Sequence, residues 1–164
     1  MADSATFLQL ATALGIGSLA NQYLLGGKER REARARFLTV FSRSESSRWF
    51  PLAPGEPTFW QLRHELVAAA LVARIPKDAI RTYLLVGLAC SWMSQEDYEN
   101  SPHPEIAGSI PNEPARAGEA AATLVSDLAW SPWRYRLVQA KRLAKIQRLA
   151  AEVRPDWIDW DRAF

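Results

Sequence analysis

Thr58–Met93 reads TFWQLRHELVAAALVARIPKDAIRTYLLVGLACSWM, and its punctuation decides the fold class. Thr58 and Gln61 have the spacing of a capping box, in which a hydroxyl at the helix start and an amide three residues later satisfy each other's backbone N–H groups. Phe59, Leu62, Leu66, Ala69, Ala70 and Ala73 then recur at helical spacing. That predicts a helix to about Arg74 with these residues on its buried face. Ile75-Pro76 ends it, because proline disfavours helical geometry in the residue before it. Pro76 is also a good first residue for a following helix. The second helix is predicted to about Met93, burying Ile80, Tyr83, Leu84, Leu88 and Trp92. The two form a helical hairpin, read here as the core. Arg63, Glu65, Arg74, Lys77, Asp78 and Arg81 divide the apolar runs too finely for membrane spans.

Towards the C-terminus, Ser94-Gln-Glu-Asp97 resembles another cap and predicts a short helix ending near Asn100. Ser101–Pro114 is a linker, since Pro102, Pro104, Gly108, Pro111 and Pro114 oppose regular structure. Pro114 opens a helix to about Trp130, with Ala117, Ala121, Leu124, Val125 and Leu128 inward. The last long helix is Pro132–Val153, stopped by Pro155. The tail Asp156–Phe164 sets Trp157 and Trp160 one turn apart. Towards the N-terminus, Ser44–Pro57 is a loop. Before it, Lys28–Arg43 is helical, with Ala33, Phe37, Val40 and Phe41 on one stripe. No segment alternates like a strand.

Ala5–Gly26, ATFLQLATALGIGSLANQYLLG, carries no charge, and Lys28, Arg30, Arg31, Arg34 and Arg36 follow it closely. At about 1.5 Å per residue this run is about 33 Å long as a helix, enough to cross a hydrocarbon core of about 30 Å. The basic flank places the rest of the chain on the cytoplasmic side. Ala11 with Gly15, and Ala13 with Gly17, are small-residue pairs one turn apart that allow a second helix to approach closely. Gln9, Asn21 and Gln22 are costly in lipid without partners, so self-association or packing on another span is expected. The competing reading is a helix buried in a soluble bundle, with Leu8, Leu14, Ile16 and Leu24 packed on the Phe59–Met93 hairpin. The Gly26-Gly27 pair is a joint between this segment and the basic helix.

The sequence therefore predicts an all-α fold: an N-terminal hydrophobic, transmembrane helix followed by a small bundle of about four longer helices. Residues 1–27 form the membrane anchor, 28–43 a basic juxtamembrane helix and 44–164 a helical domain. A net charge of +2 gives no global field that would point to nucleic acid. Cys90 is the single cysteine, so an intramolecular disulfide is excluded, in keeping with a reducing compartment. The excess of Arg over Lys and the abundance of Ala fit a GC-rich bacterial coding bias, and the expected location is the bacterial inner membrane. The alternative location is the cytoplasm.

Motifs for chemistry are sparse. His64-Glu65 begins like the HExxH zinc signature, but Ala68 stands where the second histidine is required. His103 and Cys90 lie in other segments, and this spacing makes no metal site. Glu96, Asp97 and Glu99 are explained by the preference of helix starts for acidic side chains. No cofactor is expected. On the last long helix, Arg134, Lys141, Lys145, Arg148 and Glu152 share a face at about 100° per residue. This basic face suits anionic lipid headgroups or, alternatively, the phosphates of nucleic acid. Acidic residues concentrate between Ser94 and Ser131, which suits either pairing with the basic helix or a protein partner. The expected role is a membrane-anchored interaction or assembly protein, with a protein partner or a second copy and no catalytic activity of its own. The alternatives are a soluble nucleic-acid-associated module and a soluble helical enzyme with a site assembled from remote residues.

Overall fold

The computed structural model describes residues 16–49, 52–102 and 112–153, with the side chains of 16–26, 112–113, 132–136 and 152–153 outside that description. Five helices and no strand occur among the described residues: α1 Ile16–Ser46, α2 Phe59–Ala73, α3 Lys77–Asn100, α4 Asn112–Trp130 and α5 Pro132–Val153. The fold is an all-α bundle.

The turn between α2 and α3 forms as its sequence dictates. Gln61 N–H donates to Thr58 Oγ1 at 3.3 Å, and Thr58 N–H donates to Gln61 Oε1 at 2.9 Å, completing the capping box. At the other end Arg74 takes the left-handed conformation, φ 58°. Ile75 N–H reaches back to the Ala70 carbonyl at 2.9 Å, and Arg74 N–H to Leu71 at 3.1 Å, as in a Schellman stop. Ile75 is buried, which pins the reversal, and Pro76 then stands at the N-cap of α3, one residue before the helix begins at Lys77.

The packing differs from the predicted hairpin core. α2 lies chiefly against α1, α3 against α4, and α4 against α5, while the α2–α3 contact is smaller. The reason lies in the aromatic residues. Phe37 and Phe41 of α1 stack at 5.8 Å, Phe41 meets Tyr83 of α3 at 5.0 Å, and Phe59 of α2 meets the same ring at 5.8 Å. Tyr83 is fully buried at the meeting point of three helices. Each buried large side chain stabilises the fold by about 1.5–3 kcal/mol. α4 closes the other side with Ala117, Ala121, Leu124, Val125 and Leu128, all buried, against Leu143, Ile146 and Ala150 of α5.

Two expectations are corrected. Ser94 does not start a new helix: α3 continues unbroken to Asn100, with Ser94 buried and Gln95 bonded to Glu99 one turn on at 2.7 Å. Polar residues here mark an exposed face, since no proline or glycine interrupts the backbone. Trp92 is not core but 43% exposed, and Leu88 is only half-buried. On α5 the inward stripe is Leu143, Ile146 and Ala150, and Ala140, Ala144 and Ala151 are exposed.

α1 is 31 residues long, about 46 Å of helix. It runs unbroken through Gly26-Gly27. The bundle grips its C-terminal part, at Phe37, Val40, Phe41 and Ser44, while Lys28–Glu32 are exposed. Among the described residues no helix is long and apolar enough to cross a membrane. The first part of the uncharged run, with Ala11, Ala13 and Gly15, lies outside the described residues.

Two glycines carry opposite expectations. A Cβ at Gly87 of α3 would collide with the Phe59 ring, whereas one at Gly27 meets open space. Gly87→Ala is expected to lower the melting temperature, because overpacking at about 1–3 kcal/mol exceeds the helix gain of about 1 kcal/mol. Gly27→Ala is expected to leave it unchanged or raise it. Thermal unfolding followed by circular dichroism separates the two.

Candidate interaction surfaces and the buried polar cluster

The most concentrated polar chemistry is internal. Glu45 sits in the last turn of α1, and Arg48 in the turn that follows. One carboxylate oxygen of Glu45 accepts from Tyr83 Oη at 2.6 Å, and the other accepts from Arg48 Nη2 at 2.9 Å. The Arg48 side chain is only 3% exposed and that of Glu45 26%. The guanidinium lies 4.8 Å from the centre of the Trp49 ring. A Cβ at Gly118 of α4 would stand 2.6 Å from Arg48 Nη1 and 3.2 Å from Cys90 Sγ, so glycine is what admits the guanidinium there. Arg48 Nε and Nη1 have no hydrogen-bond partner among the described residues. The Cys90 thiol donates to the Pro114 carbonyl at 3.4 Å. Sequence reasoning missed this cluster: a charged residue in a loop reads as solvated. Its one local signal is Glu45 three residues before Arg48.

Burial sets the titration of this cluster. It pushes the Cys90 thiol up to about 11, with the Arg48 charge opposing. Burial, and then the neighbouring Glu45 carboxylate, hold the Tyr83 hydroxyl well above its ordinary range. Both groups are locked in their neutral forms near neutrality. The thiol is therefore an inert core group, since the thiolate is the reactive species. The arrangement joins α1, α3 and α4; it does not open a reacting centre to solvent.

The surfaces are where the sequence placed charge. Lys28 is exposed and 3.7 Å from Glu32; Arg31 Nε donates to the Gly27 carbonyl at 3.2 Å. Arg30 and Arg36 are exposed and Arg34 is half-buried. Lys141, Lys145 and Arg148 are exposed along one side of α5 with Leu137, which is 90% exposed. The Arg134 and Glu152 side chains lie outside the described residues, as does His103. The acidic and basic blocks do meet: Arg142 Nη1 bonds Asp127 Oδ2 at 2.7 Å, linking α4 to α5. His64 is exposed beside Arg63 and belongs to no group of ligands, and no metal-holding cluster occurs among the described residues.

A surface that the sequence reading did not single out lies on α2. Trp60 is 50% exposed, Leu71 77% and Val72 68%, with Val67 also exposed. Arg63 stacks on Trp60 at 3.8 Å, shielding part of the indole. Beside this face a groove of about 190 Å³ runs between α1 and α2, lined by Ala33, Arg36 and Val40 on one wall and Glu65, Ala68, Ala69 and Val72 on the other. Ligand pockets are typically about 300–1,000 Å³, so this groove suits side chains of a protein partner better than a small molecule. The chain matches no protein-family model, no curated protein and no solved structure.

Two outcomes test the cluster. Glu45→Ala strands a buried guanidinium and is expected to cost about 3 kcal/mol. Arg48→Met removes a charge with two unsatisfied donors and is expected to cost clearly less. Urea unfolding of both variants gives the order, and a costlier Arg48→Met would refute it. The second outcome concerns pH. The raised pKa values of Tyr83 and Cys90 contribute stability that is complete below the ordinary thiol value of about 8.5. For Cys90 that contribution is lost as pH rises to about 11. The urea midpoint should therefore fall above about pH 8.5, and a Tyr83→Phe/Cys90→Ala double variant should show a shallower fall.

Proposed function

We propose that this chain is a helical interaction module held at the cytoplasmic face of a membrane by its N-terminal segment, working by binding and not by catalysis. The observation that carries this reading is the continuity of α1. One helix leads from residues of the uncharged run, through the exposed Lys28, Arg30 and Arg31, into the packed aromatic core at Phe37 and Phe41. Such a helix couples anything that holds the N-terminal run directly to the bundle. The basic residues at the mouth of the run fit the distribution that sets membrane orientation. The exposed apolar residues of α2 supply the binding face, as exposed patches of this kind mark interaction sites.

The basic side of α5 fits the same reading. Lys141, Lys145 and Arg148 are exposed together, and each basic residue near an anionic leaflet contributes about 1 kcal/mol. The same face supports a second reading, nucleic-acid binding without a membrane. That rival requires affinity falling steeply with salt, at a logarithmic slope of about −0.9 per phosphate neutralised. Binding of this kind to DNA or RNA at physiological salt, with no lipid present, would favour the rival.

Membrane attachment is tested by fractionating cells that express the full chain and washing the membranes with high salt and then carbonate. The chain is expected to stay in the pellet. Complete release into the supernatant would sink the anchored reading.

A further inference from the structure

We propose that the corner between α4 and α5 dips into an anionic bilayer surface, as a second membrane contact separate from the N-terminal run. The inference deepens the membrane-held reading and rests on it for its setting, but lipid charge tests it and anchoring does not.

The corner is apolar where it is most exposed. Trp130, the last residue of α4, is 72% exposed and Leu137 on α5 is 90% exposed, with Val138 open beside it. Leu137, Lys141, Ala144 and Arg148 recur at i, i+4, i+7 and i+11, which sets them along one line of the helix. That line is about 16 Å long. Lys145 lies beside it, and all five are exposed.

Charge identifies what meets this line. Pro132–Ala151 contains no acidic residue. Asp127, three residues before Trp130, is taken by Arg142 at 2.7 Å. Lys141, Lys145 and Arg148 form no ion pair among the described residues. The line is positive throughout and calls for an anionic partner. Nucleic acid would meet the cations and leave Trp130, Leu137 and Val138 in water. A bilayer takes both: headgroup phosphates receive the cations, the long basic stems lie along apolar surface, and the indole suits the interface.

Contacts along α3 place the corner. Arg48, just past the end of α1, and Cys90 of α3 both lie against Gly118 of α4. Two turns back along α3, Tyr83 meets Phe41 and Glu45 of α1. α1 and α3 therefore advance in the same sense. α4 begins beside Cys90, through the Pro114 carbonyl, and stays buried as far as Ala129, while α3 is largely exposed beyond Ser94. α4 must then lie back along α3. Its last residue, Trp130, comes to the end of the bundle to which the basic residues of α1 lead. A bilayer that receives Lys28, Arg30 and Arg31 extends to the corner as well, which favours lipid over an acidic protein.

The test uses the full chain carrying Ser131→Cys, labelled with a polarity-sensitive dye; Cys90 is buried and stays unlabelled. Ser131 is exposed at the corner. Exposed Glu119→Cys on α4 is the control position. Each labelled chain is mixed with, or reconstituted into, vesicles of phosphatidylcholine alone or with phosphatidylglycerol. The dye at 131 is expected to shift to the blue in anionic vesicles, to revert in high salt, and to stay unshifted in neutral vesicles. The dye at 119 should not respond. Lys141→Gln, Lys145→Gln and Arg148→Gln should each lower the ratio of engaged to free corner about fivefold, and the triple variant about a hundredfold, with an unchanged circular-dichroism spectrum. Trp130→Ser should lower it too.

No shift in anionic vesicles would overturn the proposal, as would an equal shift in neutral ones or a triple variant that engages as before. A shift produced by DNA or RNA, with none from vesicles, would give the face to nucleic acid. Release of the chain from membranes by carbonate, with the shift in anionic vesicles intact, would remove the anchor and leave this contact standing. Retention in the pellet without any shift would do the reverse.

Discussion

The bundle depends on where one carboxylate sits. Glu45 stands between the Tyr83 hydroxyl and the Arg48 guanidinium, giving one oxygen to each. A guanidinium buried without a counter-charge is among the costlier defects a protein can carry. The placement of Arg48 therefore fixes much else. It demands an acid within reach, which the last turn of α1 provides. It demands space on α4, which Gly118 provides. The neighbouring serines are buried too, and each is satisfied locally: Ser44 donates to Val40 and Ser47 to Ser44. The end of α1 is thus a polar knot inside an otherwise apolar interior, and it aligns three helices at once.

Around that knot the apolar groups divide into two regions. Phe37, Phe41, Phe59 and Tyr83 fill one with rings. The other, between α3, α4 and α5, is filled with alanine, leucine and valine. Small residues on α4 let its neighbours come near, so α4 is buried along most of one side. α2 is different. It buries Phe59, Leu62, Leu66, Ala70 and Ala73 and leaves Trp60, Leu71 and Val72 outside. A helix apolar around most of its circumference but buried on one side has surface to give to another molecule.

Much of the fold was legible in the sequence where a residue acts on its own backbone. Thr58 with Gln61, Pro76 and Pro132 mark helix starts for reasons internal to a few residues, and the structure places helices there. The inward stripe of α4 was legible because no polar residue interrupts it. What failed depended on distant partners. Ser94 resembles a cap, yet nothing breaks the chain before it, and its burial follows from neighbouring helices. Adjacency in sequence suggested α2 with α3 as the core, but the loop after α1 returns the chain so that α2 lies along α1. Arg48 was illegible because its burial needs a glycine far along the chain. The inward stripe of α2 was legible, and Phe59, Leu62, Leu66, Ala70 and Ala73 are buried on it; its outer face was not, because Trp60, Val67, Leu71 and Val72 are apolar too and apolar character alone does not mark them as exposed.

The long first helix has a further consequence. The bundle holds its C-terminal part, from Phe37 onward, and Lys28–Glu32 stand clear of it. A rigid helix transmits rotation, at about 100° for each residue. The heading of the bundle relative to anything that grips the N-terminal residues is therefore an integer property of the chain. Removing one residue between Gly27 and Phe37 would swing every face of the bundle by about 100°, and removing seven would bring them nearly back into phase. Length between those two points is under angular as well as linear constraint.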